Sequence, residues 1–516
     1  MAPSLKRTDS YSSDDTLVET FRRQLERPLG DTEASYFLPS RESGVNDMYL
    51  HLGFRSPPSI MVRDRVCLVW AILRLRHPLL ASKVEMHDYE DLRFVYSAPE
   101  SVINALETAD ENLEYRSQSK DEMIDLYLNG PRTLSNQRLS YLIVSQHVEQ
   151  DESLQNFDLL LCATHFLGDG MALHQFANDF FALLASDRAD VDLECILTDE
   201  WYSRWGGTKA VSGLPSSLED RLPPLPNGRL YRAVSRIDFD NSQTRLIGGH
   251  SFPRRSGNPR RTIVPTKSID VVRTKRMLQK CKQKSVSISS ALFAICNIAW
   301  ARTCEKNWEL PTMMYSALNL RPVLTASRAF NESYWYLAIG YFNVVLPTFI
   351  PKSASDEDIE RVFWHRARAA KDQSTRAAKS IMLVSRSRLM AQERGQRARC
   401  WAREDDEKVN GQRKAPPAPP ALPTVKATNR PPSAALIGLS LLGNLDGIYK
   451  HSTFQEIQMH TLTTGSRQRQ SGMLLFGYTF VGKLWISLGY DEAGFDVDTV
   501  DRFWGNVLNA VDTLLL

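Results

Sequence analysis

A histidine and an aspartate, four positions apart, follow the most apolar stretch of the N-terminal half. The segment reads LLLCATHFLGDG over 159–170, so His165 ends an apolar run and Asp169 lies between Gly168 and Gly170. An imidazole titrates near neutral pH and can remove a proton from an alcohol or an amine. The residue types and spacing therefore indicate a general base, His165, with a carboxylate close to it in sequence.

Two other interpretations of this segment are open from composition. A histidine on an apolar strand is often a core residue bonded to a backbone carbonyl. His165 and Asp169 could also be metal ligands on one helix face, but the flanking glycines disfavour a helix, and His174 belongs to the following helix. The chain has no G-x-S-x-G elbow, P-loop or G-x-G-x-x-G fingerprint, which argues against a serine hydrolase and against phosphate or dinucleotide sites of those kinds.

Regular elements on both sides of the histidine are needed to position it. Residues 157–165 have strand composition, and residues 171–186 have helical periodicity with their apolar side chains on one side. Glycine accepts positive backbone φ angles, so Gly168 and Gly170 predict a tight turn. Such a turn would project His165 into a cleft.

Composition excludes several classes of protein. The 516-residue chain is 42% hydrophobic with a formal net charge of +3, so it can bury large cores and is not a polyelectrolyte, which argues against nucleic acid as a main partner. Its seven cysteines are scattered and form no C-x-x-C, which predicts reduced thiols and neither a disulfide framework nor a zinc site. The sequence shows no signal-peptide pattern and no apolar run of about 18 residues. A soluble cytoplasmic protein without a membrane span is expected.

The chain is predicted to form two lobes that each mix strands and helices, an α/β (α+β) architecture. Residues 1–16, rich in Ser and Asp, predict a disordered tail. The predicted N-terminal lobe covers 17–205 and the C-terminal lobe 266–516, joined by an irregular crossover connection over 206–265 that is rich in Pro and Gly. A Pro-rich stretch at 404–432 predicts a flexible insertion in the C-terminal lobe.

Five stretches, in matching order, resemble the acyl-CoA-dependent acyltransferase superfamily, which includes plant BAHD acyltransferases, fungal trichothecene acetyltransferases and condensation domains of peptide synthetases. The first, HFLGDG at 165–170, resembles the HxxxDG motif of that superfamily. The others are LRLRHPLL at 73–80, SSALFA at 289–294, LRP at 320–322 and GYFNVVLP at 340–347. The resemblance extends from about residue 30 to the C-terminus and points to a divergent, fungal branch.

This resemblance implies two lobes, each like chloramphenicol acetyltransferase, with a solvent tunnel between them. It makes His165 the general base that takes a proton from an acceptor hydroxyl or amine as that group attacks the donor thioester, with no covalent intermediate. Acyl-CoA is then a co-substrate, a small-molecule alcohol or amine is the acceptor, and neither a metal nor a permanently bound cofactor is expected. The implied activity is that of a monomeric acyl-CoA-dependent O-acyltransferase of secondary metabolite biosynthesis.

The resemblance also implies roles for other polar residues. In the superfamily the motif aspartate usually points away from the histidine and pairs with an arginine, so Asp169 is expected to hold the loop through Arg321 rather than to orient His165 as in a catalytic triad. Asn343 and Ser440 are candidates for the donor that stabilises charge on the thioester oxygen. Each of these two is equally well explained as a buried polar residue at a strand end.

The chain departs from the superfamily patterns at two places. Thr164 stands where condensation domains usually carry a second histidine, which favours a free CoA thioester over peptide-bond formation, and the DFGWG motif of the plant enzymes is absent. Acyl transfer from the carrier-protein thioester of a synthase partner, and a non-catalytic binding protein with the same tunnel, are the alternatives. The segment TGSRQR at 464–469 is a candidate for binding the donor's phosphates, with a solvated loop as its competing interpretation.

Overall fold

A computed structural model describes residues 24–147, 153–206, 213–325, 333–351, 353–411 and 433–516. Within these ranges the chain forms thirteen α-helices and fifteen β-strands, and the strands assemble into three sheets. The disordered tail predicted at 1–16, and positions 412–432 of the predicted insertion, lie outside the described residues.

The helices and strands have the following bounds. The helices are α1 (Asp31–Ser40), α2 (Arg63–Arg76), α3 (Val102–Asp110), α4 (Lys120–Asn129), α5 (Gly170–Leu184), α6 (Asp190–Trp201), α7 (Leu218–Arg221), α8 (Arg229–Thr244), α9 (Val271–Gln283), α10 (Ile288–Thr303), α11 (Asp356–Ala378), α12 (Leu383–Val409) and α13 (Val497–Leu514). The strands are β1 (Gln24–Pro28), β2 (Met48–Ser56), β3 (Lys83–Met86), β4 (Leu92–Ser97), β5 (Leu113–Arg116), β6 (Ser140–His147), β7 (Gln155–Ala163), β8 (Thr262–Ile263), β9 (Thr266–Ile269), β10 (Thr312–Asn319), β11 (Ile339–Leu346), β12 (Ile437–Asn444), β13 (Gln458–Ser466), β14 (Met473–Phe480) and β15 (Lys483–Asp491).

The N-terminal lobe is built on a five-stranded sheet in the order β13-β2-β7-β6-β5, beside a small sheet of β1, β4 and β3. Its central strand β7 runs antiparallel to both neighbours. Leu159 and Leu161 pack into the main core with α2 and α5, whereas Leu160 and Cys162 pack into a second core with α4. Because both faces are covered, β7 is apolar at consecutive positions instead of alternating.

One strand of this sheet comes from the C-terminal half of the sequence. β13 pairs antiparallel with β2, so that Leu462 lies opposite Leu52. The sequence range predicted for the C-terminal lobe, 266–516, therefore also supplies the edge strand of the N-terminal sheet. Strand pairing between residues this far apart leaves no local signal in the sequence.

The C-terminal lobe has a sheet in the order β11-β10-β12-β14-β15-β8, with β9 also paired to β15. Its core is closed by α10, α11 and α13. β14 and β15 form a hairpin, and its turn residues Val481 and Gly482 have φ angles of 47° and 70°, as a type I′ turn requires. No single helix in the described part is long and apolar enough to cross a bilayer, and α9 with α10 reaches that length and composition only jointly, across a 94° bend.

Two segments differ from the prediction. The connection at 206–265, expected to be irregular, contains the sixteen-residue helix α8. The sequence also gave no indication of α12, which runs to Val409, so residues 404–409 of the predicted flexible insertion are helical. Asp406, near the end of α12, accepts a hydrogen bond from Tyr89 at 2.8 Å and pairs with Arg41. Averaging composition over a Pro-rich stretch hid the end of a helix rich in good helix formers.

Candidate active site

His165 lies in the loop between β7 and α5, at the point where the strand leaves the core. Its half-buried imidazole places Nδ1 3.2 Å from the carbonyl oxygen of Gly168. Because a carbonyl oxygen only accepts, Nδ1 carries the proton and Nε2 carries a lone pair. No described residue hydrogen-bonds to Nε2, so this nitrogen has the form that a general base needs.

The surroundings keep this ring neutral and oriented. Burial lowers the pKa of the His165 imidazole below its ordinary value, since desolvation disfavours the cation; backbone carbonyls and Asp169 oppose this shift, while Arg394 adds to it. The phenol ring of Tyr36, on α1, stacks on the imidazole with centroids 4.3 Å apart and planes inclined by 30°. The ring is therefore held between its own loop and a helix that sequence patterns did not connect with it.

Asp169 makes its contacts away from the histidine. It caps α5 by accepting the backbone N–H groups of Met171 and Ala172, at 3.1 and 3.2 Å. Its second oxygen accepts the backbone N–H of Ala338 at 2.9 Å. The guanidinium of Arg321 donates to the same carboxylate at 2.7 Å, and the two side chains are only 5% and 19% exposed. The structure thus brings together the two residues that the resemblance paired, across the two lobes.

The segment that follows Arg321 provides further contacts that hold its guanidinium beside Asp169. Arg321 Nη2 donates to the backbone carbonyls of Tyr334 and Tyr336, at 3.0 and 3.1 Å, and its guanidinium lies over the Tyr336 ring. The carboxylate of Asp169 is therefore occupied by protein donors. No group of three or more His, Cys, Asp or Glu side chains in the described ranges is arranged to hold a metal ion.

The sequence predicts positive φ angles in a tight turn as the reason for glycine at positions 168 and 170, and this reason is wrong. Neither Gly168 nor Gly170 has a positive φ angle. Instead, the fully buried Trp335 lies against Gly168, where an added Cβ would be 2.8 Å from the indole ring. A Cβ on Gly170 would lie 3.1 Å from Leu442. Close approach by the C-terminal lobe, rather than backbone handedness, is the reason for glycine here.

The two candidate oxyanion donors both lie on the face of the C-terminal sheet that looks toward the N-terminal lobe. Asn343 lies on β11 next to Val344, whose side chain belongs to the C-terminal core and so points the other way. Ser440 lies on β12 and follows Leu439, which packs into that same core. Neither forms a hydrogen bond with the histidine ring among the described residues.

A cavity of about 570 Å³ has walls from β11, α8, α11 and α12, and His165 is not among the residues that line it. Asn343 and Tyr341 line it from β11. The hydroxyl of Tyr341 contacts that of Tyr36, the residue stacked on the imidazole. Arg394, on α12, lies 4.4 Å from the Tyr341 ring and 5.5 Å from the Tyr36 ring. Sequence reasoning missed Tyr36 and Arg394, which belong to no motif, and Tyr341 stood unremarked within GYFN.

The segment 464–469 begins within strand β13, and its two arginines differ: Arg467 is buried and Arg469 is exposed. Arg467 is buried and donates to the backbone carbonyls of Tyr127, Gly130 and Pro131, at 2.9, 3.0 and 3.1 Å. Neither interpretation holds for Arg467, because its guanidinium joins the end of the edge strand β13 to the end of α4. The signal was ambiguous because small and basic residues occur in both kinds of loop.

Comparison with known proteins bears on the fold. No protein-family model matches the chain, and no curated protein matches it by sequence. Among solved structures, it is similar to trichothecene 15-O-acetyltransferase TRI3 from Fusarium sporotrichioides, with 13% identity, a TM-score of 0.73 and 96% of each chain covered. The condensation domain of the monacolin K polyketide synthase MokA gives 10% identity and a TM-score of 0.54, with 95% of this chain and 96% of that chain covered.

A third match is the epimerization domain from the third module of tyrocidine synthetase B, with 12% identity, a TM-score of 0.54 and 95% and 98% of the two chains covered. The fold is the two-lobed acyltransferase and condensation-domain fold. The resemblance inferred from five short stretches is confirmed at this level, as is the α/β architecture of two chloramphenicol-acetyltransferase-like lobes.

Proposed function

We propose that this protein transfers an acetyl or longer acyl group from acyl-CoA to a hydroxyl or amine of a small molecule in secondary metabolism. The observation that carries this proposal is the form and place of His165. Its ring is neutral and its Nδ1 proton faces Gly168. The ring also stacks on Tyr36, whose hydroxyl contacts Tyr341 in the wall of a cavity of about 570 Å³. A base in this form can act only on a substrate that reaches Nε2.

In the proposed reaction Nε2 takes the acceptor's proton as its oxygen or nitrogen attacks the thioester carbonyl carbon. The C–O or C–N bond forms while the carbonyl becomes a tetrahedral oxyanion. Collapse of that intermediate breaks the C–S bond, and the imidazolium returns its proton to the CoA thiolate. The histidine ends neutral and no acyl-enzyme forms. Base catalysis of this kind contributes about 10²- to 10⁴-fold in rate.

The remaining residues have supporting roles in this proposal. Asn343 and Ser440 are the proposed donors to the oxyanion. On the strand of Asn343, Tyr341 contacts Tyr36, and on the strand of Ser440, Leu442 approaches Gly170. Asp169 and Arg321 hold the loop in place through their ion pair. Thr164, in the position of the second histidine of condensation domains, supports a free CoA thioester as the donor.

The test is acyl-CoA-dependent release of free thiol in the presence of a small-molecule extract. Product is identified as a mass increase of one acyl group, and comparison of extracts with and without the gene supplies candidate acceptors. His165→Ala should lower turnover by about 10²-fold or more. His87→Ala, which changes a largely exposed histidine outside the site, should leave it unaltered. Unchanged turnover in His165→Ala would exclude the mechanism.

The same assay separates the two alternatives. Turnover with an acyl-carrier-protein thioester but with no free acyl-CoA would favour a synthase partner as the source of the donor. Binding of the acceptor without thiol release from either donor would favour a non-catalytic binding protein.

A further inference from the structure

Arg394 is a cation in the wall of the cavity of about 570 Å³, and it lies against the same Tyr36 ring that stacks on His165. Its Nε is inaccessible to solvent and has no hydrogen-bond partner, and no carboxylate among the described residues pairs with it. Its guanidinium instead lies against the rings of Tyr341 and Tyr36. Burial raises the pKa of Tyr36 well above its ordinary value, so this phenol stays neutral at pH 7. The rings offer cation–π contact but no negative charge.

The rest of the cavity wall also carries a net positive charge. The lining carries Arg245, Arg376, Arg386 and Arg394 against one carboxylate, Asp238. Arg386 already pairs with Asp238 through two hydrogen bonds of 2.7 and 2.8 Å. The two exposed arginines, 245 and 376, add positive charge at the surface of the cavity. A cavity with this balance attracts anions, and an anion bound at Arg394 would offset the cost of burying its unpaired charge.

The distance between Arg394 and His165 limits which part of a bound substrate can contact the guanidinium. The guanidinium lies 5.5 Å from the Tyr36 ring, whose centroid is 4.3 Å from that of His165. A thioester that reacts at His165 is separated from the nearest CoA phosphate by a pantetheine arm about as long as four extended residues, roughly 14 Å. The donor's phosphates would therefore lie farther from the reacting centre than Arg394 does.

We propose that the acceptor carries an anionic group, a carboxylate, that binds Arg394 while its hydroxyl or amine faces His165. The substrate class is then a small hydroxy or amino acid. A guanidinium suits this ligand because its planar donors match a carboxylate with two parallel hydrogen bonds. The inference rests on the proposed function, since it takes His165 as the reacting centre.

The test measures the binding of benzoate and benzamide, which share a shape and differ in charge, to the full-length protein by titration calorimetry. Benzoate should bind at least tenfold more tightly than benzamide. Arg394→Met should lower the affinity for benzoate by roughly 10- to 100-fold, and Arg394→Lys should retain part of it. Arg397→Met, which changes an exposed arginine on the same helix outside the cavity lining, is the matched control and should bind benzoate like the wild type.

Three results would overturn the proposal. The first is the absence of any preference for benzoate over benzamide in the wild type. The second is an equal affinity for benzoate in the wild type and Arg394→Met, or in Arg394→Lys should the Met variant not fold. The third is a loss of CoA binding in Arg394→Met without loss of benzoate binding, which would assign the guanidinium to the donor's phosphates.

Failure of this inference is distinguishable from failure of the proposed function, because benzoate binding does not require turnover. His165→Ala should bind benzoate through Arg394 whether or not it transfers acyl groups. If thiol release depends on His165 but benzoate binding does not depend on Arg394, the proposed acyl transfer is supported. Only the inference that the acceptor carries a carboxylate is then rejected.

Discussion

Replacing Asp169 with alanine should destabilise the protein as a whole rather than remove a single catalytic group. The carboxylate connects the first turn of α5, the backbone of Ala338 and the guanidinium of Arg321. Alanine removes every one of these acceptors at once. Arg321, whose side chain is only 19% exposed, would keep two backbone carbonyls as partners and lose its only counter-charge among the described residues.

The size of the effect follows from these contacts. Loss of a helix N-cap costs about 1 kcal/mol. Removal of one partner from a buried ion pair costs roughly 3–5 kcal/mol, mainly because the other charge is left buried. The two losses belong to one carboxylate and overlap, so the free energy of unfolding of Asp169→Ala should fall by about 3–5 kcal/mol. His165→Ala loses one 3.2 Å hydrogen bond and one ring stack, which is worth about 1–2 kcal/mol.

Urea unfolding at pH 7, followed by tryptophan fluorescence, measures the difference. The double variant Asp169→Ala/Arg321→Met should recover part of the lost stability, because it no longer buries an unpaired charge. Asp169→Asn, which keeps an acceptor for α5, should fall between the wild type and alanine. An Asp169→Ala protein as stable as the wild type but as inactive as His165→Ala would refute the reasoning and give the carboxylate a direct role in the chemistry.

Three further changes test the surroundings of the loop. Tyr36→Leu removes the ring stacked on His165 and should lower kcat/KM roughly tenfold. Because more water would reach the imidazole, its pKa should rise and the acid limb of the pH profile of kcat/KM should move to higher pH. Gly168→Ala places a Cβ 2.8 Å from Trp335 and should reduce the free energy of unfolding by about 1–3 kcal/mol, measured in urea. Burial lowers the pKa of His174 from 6.5 to about 3, so the unfolded chain binds its proton first and stability is lost as pH falls through this window. His174→Leu should therefore make the stability less dependent on pH between about 6 and 4, by up to about 1.4 kcal/mol per pH unit.

The changes at Tyr36 and Gly168 each have a matched control. Tyr36→Phe keeps the stacked ring and should retain the pH profile of the wild type. Gly447→Ala adds a Cβ that meets no atom within 4 Å, and its stability should be nearly unchanged. Equal destabilisation by Gly168→Ala and Gly447→Ala would contradict the close packing at Trp335, and an unaltered slope of stability against pH would contradict the account of His174.

The elements that carry the loop were predictable from sequence because their signals are local. The apolar run ahead of His165 predicted a strand, found as β7, and the periodicity after Gly170 predicted the helix found as α5. A strand or helix shows its buried face in its own spacing, whatever lies against that face. The five short stretches were also enough to indicate the fold, since motifs keep their order along the chain when overall identity is low.

Other parts of the site had no local signal. Tyr36 and Arg394 lie on α1 and α12, and they meet only because those two helices pack together. Arginine on a charged helix is typical of a solvated face, so nothing in the sequence distinguished Arg394 from its exposed neighbour Arg397. Arg467, in a segment that suggested a surface loop, is buried by strand pairing between β13 and β2.

The sequence by itself determined that a histidine follows an apolar strand and that a helix begins after the Gly-Asp-Gly turn, because these features depend on residues only a few positions apart. Tertiary structure decided what holds them. Arg321 reaches Asp169 across 152 positions, and Trp335 makes glycine necessary at Gly168. It also decided that a cation faces the cavity without a counter-charge from the described residues. The secondary structure of a segment depends mainly on its own residues. The contacts of a side chain depend on which distant segments pack against it in the folded protein.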